Sequence, residues 1–281
     1  MPRRFLVVLE PISAMCFFSP EVLEENTKLG LDAWASYFCS RAAPMGRVSA
    51  DVVAATFYNF SPDIVRPNVR WDVASPEEVR AAQLRGVGRT LARVFGEDGG
   101  YPPMSRAVEL LREAVGGCPP AGRPIAGAYA ALPWPDEEPL ALWHGATVLR
   151  EYRGDGHVAV LVSHGVGPVD AIVLHAAYVG GRIDFLKATR QWGDEPLREA
   201  TERLVDRGFI TPDGGLTDAG GKFRLMIEHD TDRIAQAPFD ALGHDKCEEL
   251  LALLEPVAMR LLDAKAAPKF LGRMDPSNKL L

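Results

Sequence analysis

Between residues 168 and 232, helix-forming segments alternate with short glycine-containing turns in an order that few folds share. Apolar residues recur at helical spacing from Val169 to Tyr178 and again along residues 195–206, with a short helical segment between them. Pro212-Asp213-Gly214-Gly215 then separates two short apolar stretches, as in a hairpin. Thr217 precedes another long helical segment, which its side chain can cap. Helix, turn, helix, hairpin and helix is the winged-helix order.

Residues on both sides of this hairpin are similar to those of MarR-type winged-helix proteins. The similarity runs from Glu202 to Ile210 and from Leu216 to Gly220. The whole chain also resembles a bacterial helix-turn-helix family, through Trp143-His144, residues 150–157 and Thr231-Asp232. The resemblance implies a mainly α-helical fold with a β-hairpin wing at least in the C-terminal half, and it implies no reaction.

A proline- and glycine-rich stretch divides the chain of 281 residues. Such a stretch cannot continue a helix and offers few donors to a sheet. We therefore predict an N-terminal helical half over 1–115, a linker over 116–139, a C-terminal winged-helix half over 140–265 and a tail over 266–281.

The two halves also resemble each other. Each places an arginine seven residues after a tryptophan, Trp34 with Arg41 and Trp143 with Arg150. The offset of roughly 110 residues is closer to a duplicated small domain than to a solenoid repeat. The repetition predicts two related winged-helix-like halves, in which the shared positions are architectural.

The charge of the chain argues against DNA as a partner. It carries 31 Lys and Arg residues against 38 Asp and Glu, whereas affinity for DNA comes largely from neutralising phosphates. The helix expected to enter the major groove has five carboxylates against three arginines between Asp194 and Arg207, and Arg198 is the best candidate for a base contact. If the protein does bind DNA, the alternative functions are a ligand-responsive DNA-binding regulator and a tandem winged-helix enzyme that acts on damaged DNA.

Cysteine usage and hydropathy indicate a cytoplasmic protein. The four cysteines form no CxxC pair, and reduced thiols are expected. The apolar run from Phe5 to Leu9 ends too early for a signal peptide, and no membrane span is expected. No metal site is expected, since HExxH and histidine pairs four apart are absent from the sequence. Cofactor and oligomeric state, including a homodimer, stay open.

Polar residues cluster near the start of the second half. His144 and Glu151 are seven apart and share one helix face, over which the segment from Arg153 to His157 is expected to fold back as a loop. His144, His157 and Arg153 are candidate catalytic residues for acid–base chemistry, with Glu151 and Asp155 as ligand-binding residues. The alternative is a capped helix end, with Asp155 paired to Arg153 and His157 satisfied by the backbone.

Aromatic residues supply candidate walls for a ligand pocket between the halves, a favoured place for ligand sites. The candidates are Tyr58, Asn59, Trp71, Trp143 and His175. Core packing is the alternative for the aromatic residues, and a hydrogen-bonded core position is the alternative for His175. The sequence thus predicts a small-molecule-binding protein on a scaffold that is not used for DNA.

Overall fold

The computed structural model describes residues 1–96, 104–181 and 183–268, and these fold into α-helices and short connections. This confirms the prediction of a mainly α-helical protein. The helices, in chain order, are α1 (Pro2–Phe18), α2 (Pro20–Lys28), α3 (Ala33–Ala42), α4 (Ala50–Phe57), α5 (Pro62–Asn68), α6 (Pro76–Phe95), α7 (Met104–Gly116), α8 (Pro124–Ala130), α9 (Glu138–Ser163), α10 (Pro168–Val179), α11 (Ile183–Arg190), α12 (Asp194–Asp206), α13 (Asp218–Ile234), α14 (Ala237–Leu242) and α15 (His244–Asp263).

The predicted winged-helix halves with a β-hairpin wing are wrong, because no β-strand forms in the part of the chain that the structure describes. Ile210 and Leu216 form only a single antiparallel bridge. The residues that would extend this bridge into two strands belong instead to the ends of the neighbouring helices. Gly208, at φ 72°, follows the end of α12, and the Thr217 hydroxyl accepts the Gly220 amide hydrogen at 3.0 Å to begin α13. The fold does not show the MarR-type likeness.

Two hydrophobic cores organise the helices. The larger core contains buried residues of α1–α8, the first half of α9, α14 and α15, including Phe5, Phe38 and Trp143. The smaller core contains residues of α10, α12 and α13 together with the end of α9. Helix α9 therefore contributes to both cores, up to Leu149 in the larger and from Val160 in the smaller. The predicted domain bounds and the duplication stay predictions.

Residues 153–157, expected to form a loop, lie inside α9 instead. Glycine usually weakens a helix, and here it permits close packing. The Arg123 guanidinium lies against Gly156, with its Nη1 atom 2.1 Å from the position that a Cβ would occupy. The same guanidinium stacks over the Tyr152 ring and donates to the Ile234 carbonyl at 2.7 Å. Tertiary packing thus overrides the local glycine signal.

The proline- and glycine-rich stretch that we expect to be a linker contains α8. Its first amides need acceptors, as at any helix start. The Ile125 and Ala126 amides both donate to Oδ2 of Asp155, at 3.0 and 2.9 Å. A carboxylate of α9 thereby holds α8 in place.

Among the described residues, one segment is long and apolar enough to cross a bilayer, and a second qualifies if a bent pair of helices counts as one. One is Pro2–Lys28, and the other is α9 with α10 if the pair, bent by 102°, is taken together. In the N-terminal window, 61% of the residues are buried inside the protein, and buried core helices meet the same criteria. The expectations of a cytoplasmic location and of no membrane span therefore stay predictions.

Candidate functional site

A cavity of about 390 Å³ lies between the two hydrophobic cores. Close-packed protein interiors contain few voids larger than a water molecule, whereas ligand sites occupy roughly 300–1,000 Å³. Phe57 and Phe60 of the larger core and Leu161, Ile172 and Leu174 of the smaller core form apolar walls. A hollow of this size between two packed cores is our candidate site.

Helices α1 and α9 line the cavity with charged residues at helical spacing. Arg3 and Glu10 of α1 are seven residues apart, as are Arg150 and His157 of α9, so each pair shares one face. Seven residues advance a helix by about 10 Å. Glu10 bonds Arg150, while Arg3 and Arg153 both bond Asp232. These ion pairs join α1 and α9 at two places beside the cavity.

At one end, four charged side chains form the Glu151 network. Arg41 of α3 makes a bidentate pair with Glu151 at 3.0 and 2.9 Å. Arg150 donates to Glu151 at 3.0 Å and to both oxygens of Glu10 at 2.8 and 3.0 Å. Glu151 is fully buried, and burial alone raises its pKa, but Arg150 and Arg41 outweigh this and lower the pKa to about 2.

Arg190, at the end of α11, adds a cation beside the Glu151 network. It lines the cavity, and among the described residues it forms no ion pair with a carboxylate. Its guanidinium stacks over the Phe60 ring at 4.4 Å, and its Nη1 donates to the Thr189 carbonyl at 3.4 Å. Its buried Nε lacks a hydrogen-bond partner in the described chain. Burial lowers the pKa of the guanidinium. An unpaired charge is costly to bury, so this position favours an anionic ligand.

At the other end, charged residues form the Glu228 network. Arg153 of α9 donates to Glu228 at 2.6 Å and to Asp232 at 2.9 Å. Arg224 of α13 pairs with Glu228, and Arg3 of α1 donates to Asp232 at 2.8 Å. Burial opposes ionisation of Glu228, but Arg224 and Arg153 keep its pKa far below the usual range. The network joins α1, α9 and α13 through compensated charges.

His157 lies beside the Glu228 network. Its Nδ1 is 3.0 Å from the Thr231 hydroxyl, which itself donates to the Ile227 carbonyl at 2.8 Å. Burial lowers the pKa of the imidazole to about 4, and Arg224 and Arg153 lower it while Glu228 opposes them. His157 is therefore neutral at physiological pH.

The segment after α4 joins the two cores at the cavity. Phe57 and Phe60 pack in the larger core, while Tyr58 packs against the smaller core and donates its hydroxyl to the Val166 carbonyl. Tyr58 has φ 54°, an uncommon conformation for a residue other than glycine. The Asn59 carbonyl accepts from the Trp192 indole at 2.9 Å. These contacts link the segment after α4 to the α9–α10 connection and to the α11–α12 turn.

The structure brings together six of the residues singled out in the sequence. The residues that line the cavity are His157, Arg153, Asp155, Tyr58, Asn59 and His175. Glu151 is buried behind the lining, where it compensates Arg41 and Arg150. The assignment of these residues as a functional site stays a prediction.

The other three predicted residues lie elsewhere. His144 and Trp143 border a separate hollow of about 20 Å³, where burial lowers the pKa of His144 to about 4, assisted by Arg80 and Arg112. Trp71 is buried in the larger core and donates its indole to the Val48 carbonyl at 2.8 Å. These positions fit the core-packing alternative.

The sequence reasoning missed Arg190 and Arg224, and it assigned Arg41 only an architectural role. Arg190 and Arg224 lie 40 and 74 residues after Arg150, and no local spacing connects them with α9. The seven-residue spacing after tryptophan did single out Arg41 and Arg150. It gave no sign that both bind the same carboxylate.

Metal binding has no structural candidate in the described ranges, where no group of three or more His, Cys, Asp or Glu side chains could hold an ion. The expectation of no metal site stays a prediction. The cavity is lined instead by guanidinium, imidazole, phenol and carboxylate groups.

Comparison with known proteins gives one positive result. The sequence model of a helix-turn-helix family matches residues 2–268, which include all the helices α1–α15. No curated protein and no solved structure matches the chain. The match names no ligand and no reaction.

Proposed function

The chain belongs to this helix-turn-helix family, and we propose that it uses the helical framework to bind a small anionic molecule with an aromatic body. The site is the cavity between the two cores, and the observation that carries the proposal is the guanidinium of Arg190, whose buried Nε has no hydrogen-bond partner and which pairs with no carboxylate among the described residues. The anionic group of the ligand would bind beside Arg190. The other arginines that line the cavity already have carboxylate partners.

Charge compensation within the cavity selects Arg190 as the anchor. Glu10 and Glu151 already satisfy Arg41 and Arg150, so these cations have little left to offer a ligand. Arg190 has no such partner in the described chain, and its planar fork suits a carboxylate or phosphate. Binding would give the buried Nε of this half-buried guanidinium the hydrogen-bond partner that it lacks.

The walls of the cavity favour an aromatic body for the ligand. Phe57, Tyr58 and Phe60 line one side, and Leu161 and Ile172 line the other. Aromatic rings pack edge-to-face or offset against such side chains and bury a large apolar area. A neutral histidine with a pKa of about 4 is a weak base, so we propose ligand binding rather than acid–base catalysis.

We expect that replacing Arg190 with Met weakens binding of trans-cinnamate, a small aryl carboxylate, by about 10- to 100-fold, as loss of a charged hydrogen bond does. Because the variant also removes an unpaired buried charge, its melting temperature without ligand should stay level or rise. Isothermal titration calorimetry and thermal unfolding measure the two effects.

The matched control is Arg198→Met, the same change at an exposed position on α12. It should leave cinnamate affinity unchanged. Equal affinity of wild type and Arg190→Met for cinnamate would overturn the assignment of Arg190, and absence of binding by wild type would overturn the proposed function.

DNA binding is disfavoured by the contacts of α12. Arg198 pairs with Glu195 and Glu202 on its own helix, and Arg203 and Arg207 bond to α10 and to the turn before it. Each of these pairs must break before the arginine can contact a phosphate or a base. We expect micromolar protein to leave a labelled duplex unshifted in a low-salt gel. A salt-sensitive shift would instead support the DNA-binding regulator.

A further inference from the structure

We infer that the ligand is an aryl carboxylic acid with a hydroxyl group at the end away from the carboxylate, and that Nε2 of His157 accepts the hydrogen of this hydroxyl. The inference rests on the proposed anion site at Arg190 and adds a second, specific contact. It makes His157 a specificity-determining residue of the cavity.

The hydrogen bonds around His157 fix which ring nitrogen carries the proton. The Thr231 hydroxyl has a single hydrogen, which it donates to the Ile227 carbonyl at 2.8 Å. Its oxygen is left to accept, so the hydrogen between Thr231 and His157 belongs to Nδ1, 3.0 Å away. The imidazole is neutral, so Nε2 carries a lone pair and acts only as an acceptor.

Burial and the neighbouring charged groups together keep the imidazole neutral. Burial lowers the pKa of His157 most, Glu228 raises it, and Arg224, Arg153 and His175 lower it. Glu228 is held in ion pairs by both arginines, so its charge is already compensated. A ligand that reaches this end of the cavity therefore meets an imidazole acceptor, which selects a hydrogen-bond donor.

The two contacts lie in different parts of one cavity, so the ligand must present its two polar groups at different points. Arg190 and His157 line the same cavity among different charged neighbours, Arg41, Arg150 and Glu10 for Arg190 and Glu228, Arg224 and Arg153 for His157. 4-Hydroxycinnamate has a carboxylate at one end and a phenol hydroxyl at the other end of a flat apolar body. This molecule is therefore the probe that matches the anion site, the apolar walls and the acceptor together.

Three related probes isolate the hydroxyl contact. Wild-type protein should bind 4-hydroxycinnamate about fivefold more tightly than cinnamate, since one additional hydrogen bond contributes about 1 kcal/mol. 4-Methoxycinnamate has no hydrogen to donate, so it should bind no better than cinnamate. Calorimetric titration of the full chain with each probe measures the three affinities.

Two variants connect this preference with His157. In His157→Phe the preference for the hydroxyl should vanish, while cinnamate binding and its dependence on Arg190 should remain. Thr231→Val removes the acceptor that holds hydrogen on Nδ1, so Thr231 is a positioning residue. The ¹⁵N chemical shifts of His157 should indicate a protonated Nδ1 in wild type and a mixture of tautomers in Thr231→Val.

The possible outcomes separate this inference from the proposed function. If wild type binds cinnamate through Arg190 but binds all three probes equally, the hydroxyl contact is wrong and the anion site stands. If none of the probes binds, the proposed function fails as well. A protonated Nε2 in the wild-type ¹⁵N spectrum would overturn the inference without any ligand.

Discussion

Replacing Glu151 with Gln is expected to lower the free energy of unfolding by about 3–5 kcal/mol, the cost typical of breaking a buried ion pair. Glu151 is fully buried and forms ion pairs with two guanidinium groups, those of Arg41 and Arg150. Gln keeps the shape of the side chain and removes its charge. Glu10 is then the one carboxylate left in the network to compensate Arg41 and Arg150. Urea unfolding of the variant and the wild type measures the difference.

Glu249 provides the matched control for burial. Arg106 donates to both of its oxygens, at 2.8 and 2.9 Å, in the same bidentate geometry that Arg41 uses with Glu151. This second pair is exposed, so Glu249→Gln should cost less than about 1 kcal/mol. A loss at Glu151 as small as the loss at Glu249 would contradict the role of the Glu151 network.

A double variant tests whether uncompensated charge causes the loss. Adding Arg41→Gln to Glu151→Gln removes the cation that is left without a carboxylate. The double variant should therefore be more stable than Glu151→Gln alone, although it contains one more substitution in the same buried region. Additive losses would instead indicate that packing, and not charge, dominates.

Helix starts with strong local chemistry could be predicted from the sequence. Ser75, Pro76 and Glu78 have the spacing of a capping box in the sequence, and the structure has this box at the start of α6, with bonds of 3.2 and 2.7 Å. Helix α1 could not be predicted in this way, because Pro11 lies inside it and local rules place proline at helix ends. Its apolar residues pack in the larger core, and that packing outweighs the local preference.

The candidate site, like the fold, contains some residues that could be predicted from the sequence and others that could not. His157, Arg153 and Asp155 could be found because they are close in sequence, and the helical spacing of α9 places Arg153 and His157 on adjoining parts of one face. Arg190 reaches the cavity only through the packing of α11, which no sequence pattern near α9 indicates. His144 illustrates the opposite error, since a shared helix with His157 does not imply a shared site.

Two carboxylates of α9, four residues apart, have opposite electrostatic environments. Arg41 and Arg150 hold the pKa of Glu151 at about 2, whereas burial raises the pKa of Asp155 from its ordinary 3.8 to about 6. The backbone amides of Ile125 and Ala126 oppose this rise and only partly compensate the burial. Asp155 is thus protonated more readily in the folded chain than in the unfolded chain.

We therefore expect Asp155→Asn to remove a destabilisation that grows as the pH rises from about 4 to 6. Below pH 4 the carboxyl is protonated in both states and contributes nothing. Above pH 6 it is ionised in both states, and the raised pKa costs on the order of 3 kcal/mol. The amide oxygen of Asn can still accept the α8 amides, so the variant should gain stability relative to wild type as the pH increases. Urea unfolding at several pH values measures this relative gain.

Asp72→Asn gives the same chemical change with the opposite expected sign. Asp72 is exposed, and the hydrogen bonds from Arg70 lower its pKa, so wild type gains stability from this carboxylate as it ionises. The stability difference between Asp72→Asn and wild type should therefore move slightly against the variant as the pH rises, while the Asp155→Asn difference moves in its favour. If the Asp155→Asn difference is the same at pH 4 and pH 7, the carboxyl titrates alike in both states, and burial beside α8 does not control it.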